Sequence, residues 1–179
     1  MSRIQGSVGK IYISAEKIEA EVKRLANEIT NDYKDLKEDI IIIVLMNGGV
    51  IFACDLVKQI KLPLIMDFMR AKSYGDEFVS SHDVKILKDI SEDIYNKHVI
   101  IVEDIIDTGY TLNKVTKMLN IRKPLSIKIC TMFDKNVERE KKIIPDYIGM
   151  KIENKFILGY GLDYKQKYRN LPHVEIMES

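Results

Sequence analysis

No stretch of the 179 residues is apolar for long enough to cross a bilayer; runs such as Ile40 to Met46 are far too short. The first residues, Met1-Ser2-Arg3-Ile4-Gln5-Gly6, lack the apolar core of a signal peptide. Charge of either sign is not in excess: 28 Lys and Arg against 27 Asp and Glu leave +1, so no broad field argues for nucleic acid or an anionic membrane. Cysteine is scarce. Cys54 and Cys130 each sit among apolar neighbours, which excludes a disulfide framework and predicts buried free thiols in a reducing cytoplasm. No G-x-x-x-x-G-K-[ST] occurs, and no G-x-G-x-x-G opens a helix. A Walker-type nucleotide site is therefore excluded and a dinucleotide site disfavoured. Repeats, low-complexity tracts and linkers are also missing. With 46% apolar residues, 1–179 is expected to be one domain with a real core.

What is present alternates between strand and helix patterns. Ser14 can cap a helix reaching Tyr33, with Ile18, Val22, Leu25, Ile29 and Tyr33 as its apolar stripe and Glu19, Lys23, Arg24 and Glu28 as a solvated face. Strands are predicted at Ile40 to Leu45, Leu64 to Met69, His98 to Val102, Ser126 to Met132, Asp146 to Met150 and Phe156 to Gly159. Helices are predicted at Val50 to Gln59 and Thr111 to Leu119. Ala71 to Asp83 reads as a mobile loop or hairpin, with a short strand at Val84 to Leu87, and Asp134 to Lys142 as a solvated charged connection. The alternation gives an α/β fold with a mainly parallel sheet flanked by helices. Small strands in the last third could form a hood over it.

One stretch carries the chemistry: Val99-Ile100-Ile101-Val102-Glu103-Asp104-Ile105-Ile106-Asp107-Thr108-Gly109-Tyr110-Thr111-Leu112. Val99 to Val102 read as a strand covered on both faces. Glu103 and Asp104 follow, at the carboxyl end where parallel sheets bind ligands. Asp107-Thr108-Gly109-Tyr110-Thr111 then offers hydroxyls and successive backbone N–H groups at the positive end of a helix, a setting for phosphate. The acids themselves suit sugar hydroxyls, a hydrated Mg²⁺ or a proton. The segment is read as a site for a phosphorylated sugar. Asn47-Gly48-Gly49, between a strand and a helix, can bring further N–H groups against an anion. His82, His98 and His173 share no ligand spacing and are read as non-catalytic.

Val-Glu-Asp-Ile-Ile-Asp-Thr-Gly-x-Thr resembles the phosphoribosyl pyrophosphate motif of the type I phosphoribosyltransferases, most closely that of the hypoxanthine-guanine enzymes. Leu45-Met46-Asn47-Gly48-Gly49 resembles their pyrophosphate loop, Phe68 to Gly75 the start of their active-site flap, and Lys155 to Tyr164 with Lys167 to Pro172 their purine and metal region. The match runs over about residues 10 to 177. It departs at Asn47 and Tyr110, where many or some relatives carry Lys.

The resemblance implies a purine salvage enzyme. It would transfer the phosphoribosyl group of 5-phosphoribosyl 1-pyrophosphate to hypoxanthine or guanine, giving IMP or GMP and pyrophosphate. Asp107 would take the purine proton. Glu103 and Asp104 would hold the ribose hydroxyls, directly or through Mg²⁺, with Asp163 as a further Mg²⁺ ligand. Asp107, Thr108, Gly109, Tyr110 and Thr111 would cradle the 5′-phosphate. Asn47, Gly48, Gly49 and Arg169 would hold pyrophosphate, and a flap with Ser73 and Tyr74 would close over it. Lys135, just past a strand, would donate to the 6-oxo group, Phe156 would stack on the base and the Ile157 backbone would read its edge. A cis peptide is expected between Met46 and Asn47. The partners implied are small-molecule substrates and further copies of the chain, as a homodimer or homotetramer in the cytoplasm, without nucleic acid or membrane. A pyrimidine-linked RNA-binding regulator and a non-catalytic phosphoribosyl sensor are the rival readings.

Overall fold

The computed structural model describes residues 9–76, 79–139 and 141–177, with side chains described outside 73–83. In chain order it contains β1 (Lys10–Ile13), α1 (Ala15–Tyr33), β2 (Ile40–Met46), α2 (Gly49–Gln59), β3 (Ile65–Asp76) and β4 (Val79–Lys88). Then come β5 (His98–Ile106), α3 (Tyr110–Asn120), β6 (Ser126–Lys135), β7 (Tyr147–Ile152), β8 (Ile157–Leu158) and β9 (Val174–Ile176). A six-stranded sheet runs β4-β3-β2-β5-β6-β7, parallel except for the β3/β4 pair. A three-stranded antiparallel sheet, β1-β9-β8, forms the hood.

Period-two alternation decides which side chain meets which helix. On β2, Ile40, Ile42 and Val44 join the core that contains the α1 stripe and Phe52, Ala53 and Leu56 of α2. Ile41, Ile43 and Leu45 join the opposite core, with Leu112, Val115 and Leu119 of α3. That is why the strand reads apolar without interruption: both faces are covered. At the start of α1 the Ser14 hydroxyl accepts from the Lys17 N–H at 3.4 Å. Its polar face is only partly free, since Arg24 pairs with Glu28 and donates to the Ile148 carbonyl at 2.5 Å, tying α1 to β7.

Several elements differ from expectation. β5 continues through Glu103 and Asp104 to Ile106, because main-chain pairing with β6 (Glu103 with Thr131, Ile105 with Phe133) does not depend on apolar side chains. The two acids thus lie within the strand rather than beyond it. β6 likewise runs through Lys135 as its last residue. Asp134 is buried in that strand rather than being part of a solvated connection. Ala71 to Lys72 and Val84 to Ile86 are arms of a hairpin, Ala71 opposite Ile86; residues 77–78 of the expected loop lie outside the described residues. Phe156 precedes β8 rather than starting it. Cys54 is exposed, not buried, because α2 turns Phe52, Ala53 and Leu56 inward and leaves Cys54 outside. Cys130 is buried, and desolvation pushes its thiol up.

Asp67 on β3 is a buried carboxylate that pins the segment after β4. It accepts from the backbone N–H groups of Phe68 (2.7 Å), Ser91 (2.5 Å) and Glu92 (2.9 Å), with the Lys88 ammonium at 3.6 Å. Burial pushes its pKa up, but those N–H groups and Lys88 outweigh it and hold it below the ordinary value. A depressed folded-state pKa stabilises the native state at neutral pH. That contribution is lost as pH falls from the unfolded carboxylate range near 4 toward the folded value. Asp67→Ala takes the acceptor from three part-buried N–H donors and is expected to cost about 1–3 kcal/mol in urea unfolding at pH 7, with a smaller difference from the native chain at pH 3. An equal difference at both pH values would remove the carboxylate from this role.

Candidate active site

The acids, the glycine loops and the basic side chains meet at the carboxyl ends of β2, β5 and β6. Successive residues of β5 point to opposite faces. Asp104 turns toward the start of α2, where Gly48 makes room for it: a Cβ on Gly48 would lie 1.8 Å from Asp104 Oδ2. Gly48 has an ordinary right-handed φ of −63°, so close approach, not backbone freedom, requires glycine there. The Met46–Asn47 peptide is cis, as the resemblance implied, and Asn47 is exposed at the loop tip. Gly49 is the first residue of α2 and packs over the Val102 carbonyl. Gly161 sits against the other side of the same loop; a Cβ there would be 2.3 Å from the Gly48 carbonyl oxygen.

Glu103 lines a cavity of about 280 Å³ with Asp107, Thr108, Gly109 and Thr111, while its carboxyl stays within hydrogen-bonding reach of Asp104. Burial pushes its carboxyl well above the usual range, and the neighbouring Asp104 charge adds to this. Asp104 is also raised by burial, against its hydrogen bonds and the Arg169 charge. Two desolvated, adjacent carboxylates are short of positive charge, and a hard cation or sugar hydroxyls would relieve that. The cavity's far wall is the start of α3. Gly109 is its N-cap, in the left-handed region at φ 81°, with no side-chain cap bond and no acid in the first turn. This geometry turns backbone N–H groups and the helix dipole toward an anion.

Asp107 is 53% exposed at the mouth of this cavity, and Lys135 Nζ from the end of β6 pairs with it at 2.9 Å. Lys135 is only 14% exposed and lines a second concavity of about 180 Å³ with Asp134, Val137, Arg139 and Lys151. Arg139 pairs with the buried Asp134 and donates to the Ile143 carbonyl at 2.8 Å. Sequence reasoning missed this pair, since five residues separate its members inside what looked like a surface connection.

From the hood side, Arg169 Nη1 donates to the Gly161 carbonyl at 2.6 Å and Nη2 pairs with Asp163 at 2.8 Å. Gln166 steadies both: its side-chain Oε1 accepts from Arg169 Nη2 at 3.2 Å and its backbone N–H donates to Asp163 at 2.8 Å. Gln166 has φ 63° and its neighbours Lys165 and Tyr168 are also left-handed, so this tight turn holds the two charges together against backbone preference. The Phe156 ring is 53% exposed, edge-to-face with Tyr164 at 6.0 Å, whereas Ile157 is buried in β8. Ser73 and Tyr74 have strand backbone, but their side chains lie outside the described residues. Of the histidines, His98 bonds Ser126 and His173 bonds Glu175; the His82 side chain lies outside the described residues. No group of three acids, histidines or cysteines forms a ready-made metal cage among the described residues. A larger groove of about 530 Å³ between α1, α2 and residues 169–172 shares only Arg169 with the predicted site.

The model of the phosphoribosyl transferase domain matches residues 10–165. The chain belongs to that family. Among its relatives, the hypoxanthine phosphoribosyltransferase of Buchnera aphidicola subsp. Schizaphis graminum is 48% identical over 92% of this chain and 93% of its own length. The hypoxanthine-guanine phosphoribosyltransferase of Bacillus subtilis is 40% identical over 96% of this chain and 94% of its own. A crystal structure of a hypoxanthine-guanine phosphoribosyltransferase from Bacillus anthracis superposes with a TM-score of 0.89 at 39% identity, covering 96% of this chain and all of that one. The family model thus spans the six-stranded sheet with β1 and β8 and ends before β9.

Proposed function

We propose that 1–179 acts as one domain that transfers the 5-phosphoribosyl group of 5-phosphoribosyl 1-pyrophosphate to hypoxanthine or guanine, forming IMP or GMP and pyrophosphate. The observation that carries this is the placement of Asp107. It lies between the anion cradle at the start of α3 and Lys135 at the end of the adjacent strand β6. A proton acceptor is thereby set between a phosphate site and an ammonium donor. The names of the curated relatives support the same reading.

In this mechanism Thr108, Gly109, Tyr110 and Thr111 bind the 5′-phosphate through hydroxyls and backbone N–H groups, and Glu103 and Asp104 orient the ribose hydroxyls. Charge that builds on the departing pyrophosphate is met by Arg169 and by the Asn47-Gly48-Gly49 backbone. Lys135 donates to the 6-oxo group, a contact that the amino group of adenine would oppose. Phe156 offers its open face to the base, Ile157 its main chain, and Asp107 takes the ring proton. Ser73 and Tyr74 belong to the flap that excludes water from the activated ribose. Glu103, Asp104 and Asp163 would supply oxygen ligands to Mg²⁺. When bound, it would neutralise pyrophosphate as it leaves.

No helix of the described residues is long and apolar enough to cross a membrane. The proposed setting is action on small molecules in the cytoplasm. A homodimer or homotetramer is the proposed assembly. The test is nucleotide formation from phosphoribosyl pyrophosphate and Mg²⁺, with hypoxanthine, guanine, xanthine, adenine and uracil in parallel. Turnover confined to 6-oxopurines, stopped by a chelator and restored by Mg²⁺, is expected. Binding of phosphoribosyl pyrophosphate without turnover of any base would turn the reading to a sensor.

A further inference from the structure

A sugar 5′-phosphate carries close to two negative charges at neutral pH. The cradle that would hold it, Asp107-Thr108-Gly109-Tyr110-Thr111, contains one acid and no basic residue. Two nearby cations are already committed: Lys135 to Asp107, and Arg139 to Asp134 and the Ile143 carbonyl. A third lies on the segment that Arg139 anchors. The Lys141 backbone N–H donates to the Thr108 carbonyl at 3.3 Å. Its own carbonyl oxygen and Cβ lie 2.7 and 3.6 Å from where a Cβ on Gly109 would be. The residue is therefore built against the cradle's main chain. Its ammonium rests 5.2 Å from the centre of the Tyr110 ring, at the first position of α3. A cation on a ring face of a partly exposed tyrosine is weakly held and can move to a phosphate at little cost.

We propose that Lys141, reaching across from the segment beside the cradle, binds the 5′-phosphate and supplies the cation that the cradle sequence lacks. The Tyr110 ring parks the ammonium at the rim when phosphate is absent. Arg139 acts as a positioning residue, fixing the Ile143 carbonyl so that the Lys141 stem starts beside Gly109. This assignment rests on the phosphoribosyltransferase reading of the site.

The two phosphate ends of the substrate allow an internal control, because pyrophosphate would bind at Asn47-Gly48-Gly49 and Arg169 and not at the cradle. Calorimetric binding of IMP and of magnesium pyrophosphate is compared in the native chain, Lys141→Gln, Lys141→Arg and Lys114→Gln, Lys114 being an exposed lysine one turn further along α3. Lys141→Gln is expected to weaken IMP about tenfold, roughly 1.4 kcal/mol, and to raise the KM for phosphoribosyl pyrophosphate. Pyrophosphate affinity and the KM for hypoxanthine should stay unchanged, and Lys141→Arg should restore IMP binding. Equal weakening of IMP and pyrophosphate would mean a general charge effect and overturn the assignment. So would a loss seen in Lys114→Gln instead, or native IMP affinity in Lys141→Gln. A native chain that binds neither IMP nor pyrophosphate would overturn the reading of the whole site, a result separable from any variant.

Discussion

Asp107→Asn is expected to form nucleotide about 10²- to 10⁴-fold more slowly than the native chain, the range that a positioned general base contributes. The substitution keeps the shape and the hydrogen-bonding reach of the side chain but removes its ability to take a proton. It also removes the charge that holds Lys135 Nζ at 2.9 Å. The loss should therefore appear in kcat, with a smaller change in the KM for the purine as Lys135 loses its partner. Phosphoribosyl pyrophosphate binding should be spared, because the cradle's backbone groups and Arg169 do not depend on Asp107. Rapid-quench measurement of the first turnover, alongside calorimetric binding, separates these effects. Unchanged turnover would remove Asp107 from the mechanism.

Gly48→Ala should be nearly as damaging, although it adds a single methyl group. The new carbon would lie 1.8 Å from Oδ2 and 2.6 Å from Cγ of Asp104, so the carboxylate or the loop must move by about an ångström or more. Asp104 has little room to yield. It is 8% exposed and its other oxygen accepts from the Ile105 N–H at 2.9 Å. The loop cannot retreat easily either, because Gly161 packs behind the Gly48 carbonyl. A displacement of that size at the reacting centre costs on the order of 10² in kcat/KM for phosphoribosyl pyrophosphate. Steady-state kinetics on protein checked for native circular dichroism gives the answer. Native kcat/KM would mean that the close packing of Gly48 on Asp104 does not matter to the reaction.

The residues that were legible in advance are those whose chemistry contradicts their surroundings. Acids ending an uninterrupted apolar strand have few structural uses, so Glu103 and Asp104 stood out; a glycine pair between a strand and a helix is more often only a turn, and Gly48-Gly49 took its meaning from the resemblance. The length of β5 was not legible, because hydrogen bonding to β6 carries it past the apolar run to Ile106. Strands as short as β1 and β9 show no usable period, which hid the outer part of the hood. Residue type misled twice. Phe156, taken by residue type without the resemblance, reads as core yet is 53% exposed, while Asp134 reads as surface yet is buried with Arg139. Each depends on a partner brought by tertiary packing, and no local pattern announces it. Cys54 could have been placed correctly by its helical phase relative to Phe52, Ala53 and Leu56.

The two sheets hold different parts of the proposed site, and they are not equally secure. β5 is hydrogen-bonded on both sides over residues 98–102, to β2 and β6, and covered there on both faces; Glu103 and Asp104 continue it against β6. The amides of residues 98–102 are expected to exchange with solvent only when the domain unfolds. β8 has two residues and a single partner strand, and it follows directly on Phe156. The hood can thus open locally many times while the main sheet stays closed. The incoming purine would then exchange as β8 and its neighbours loosen, whereas the nucleotide product leaves only when the phosphate cradle also lets go.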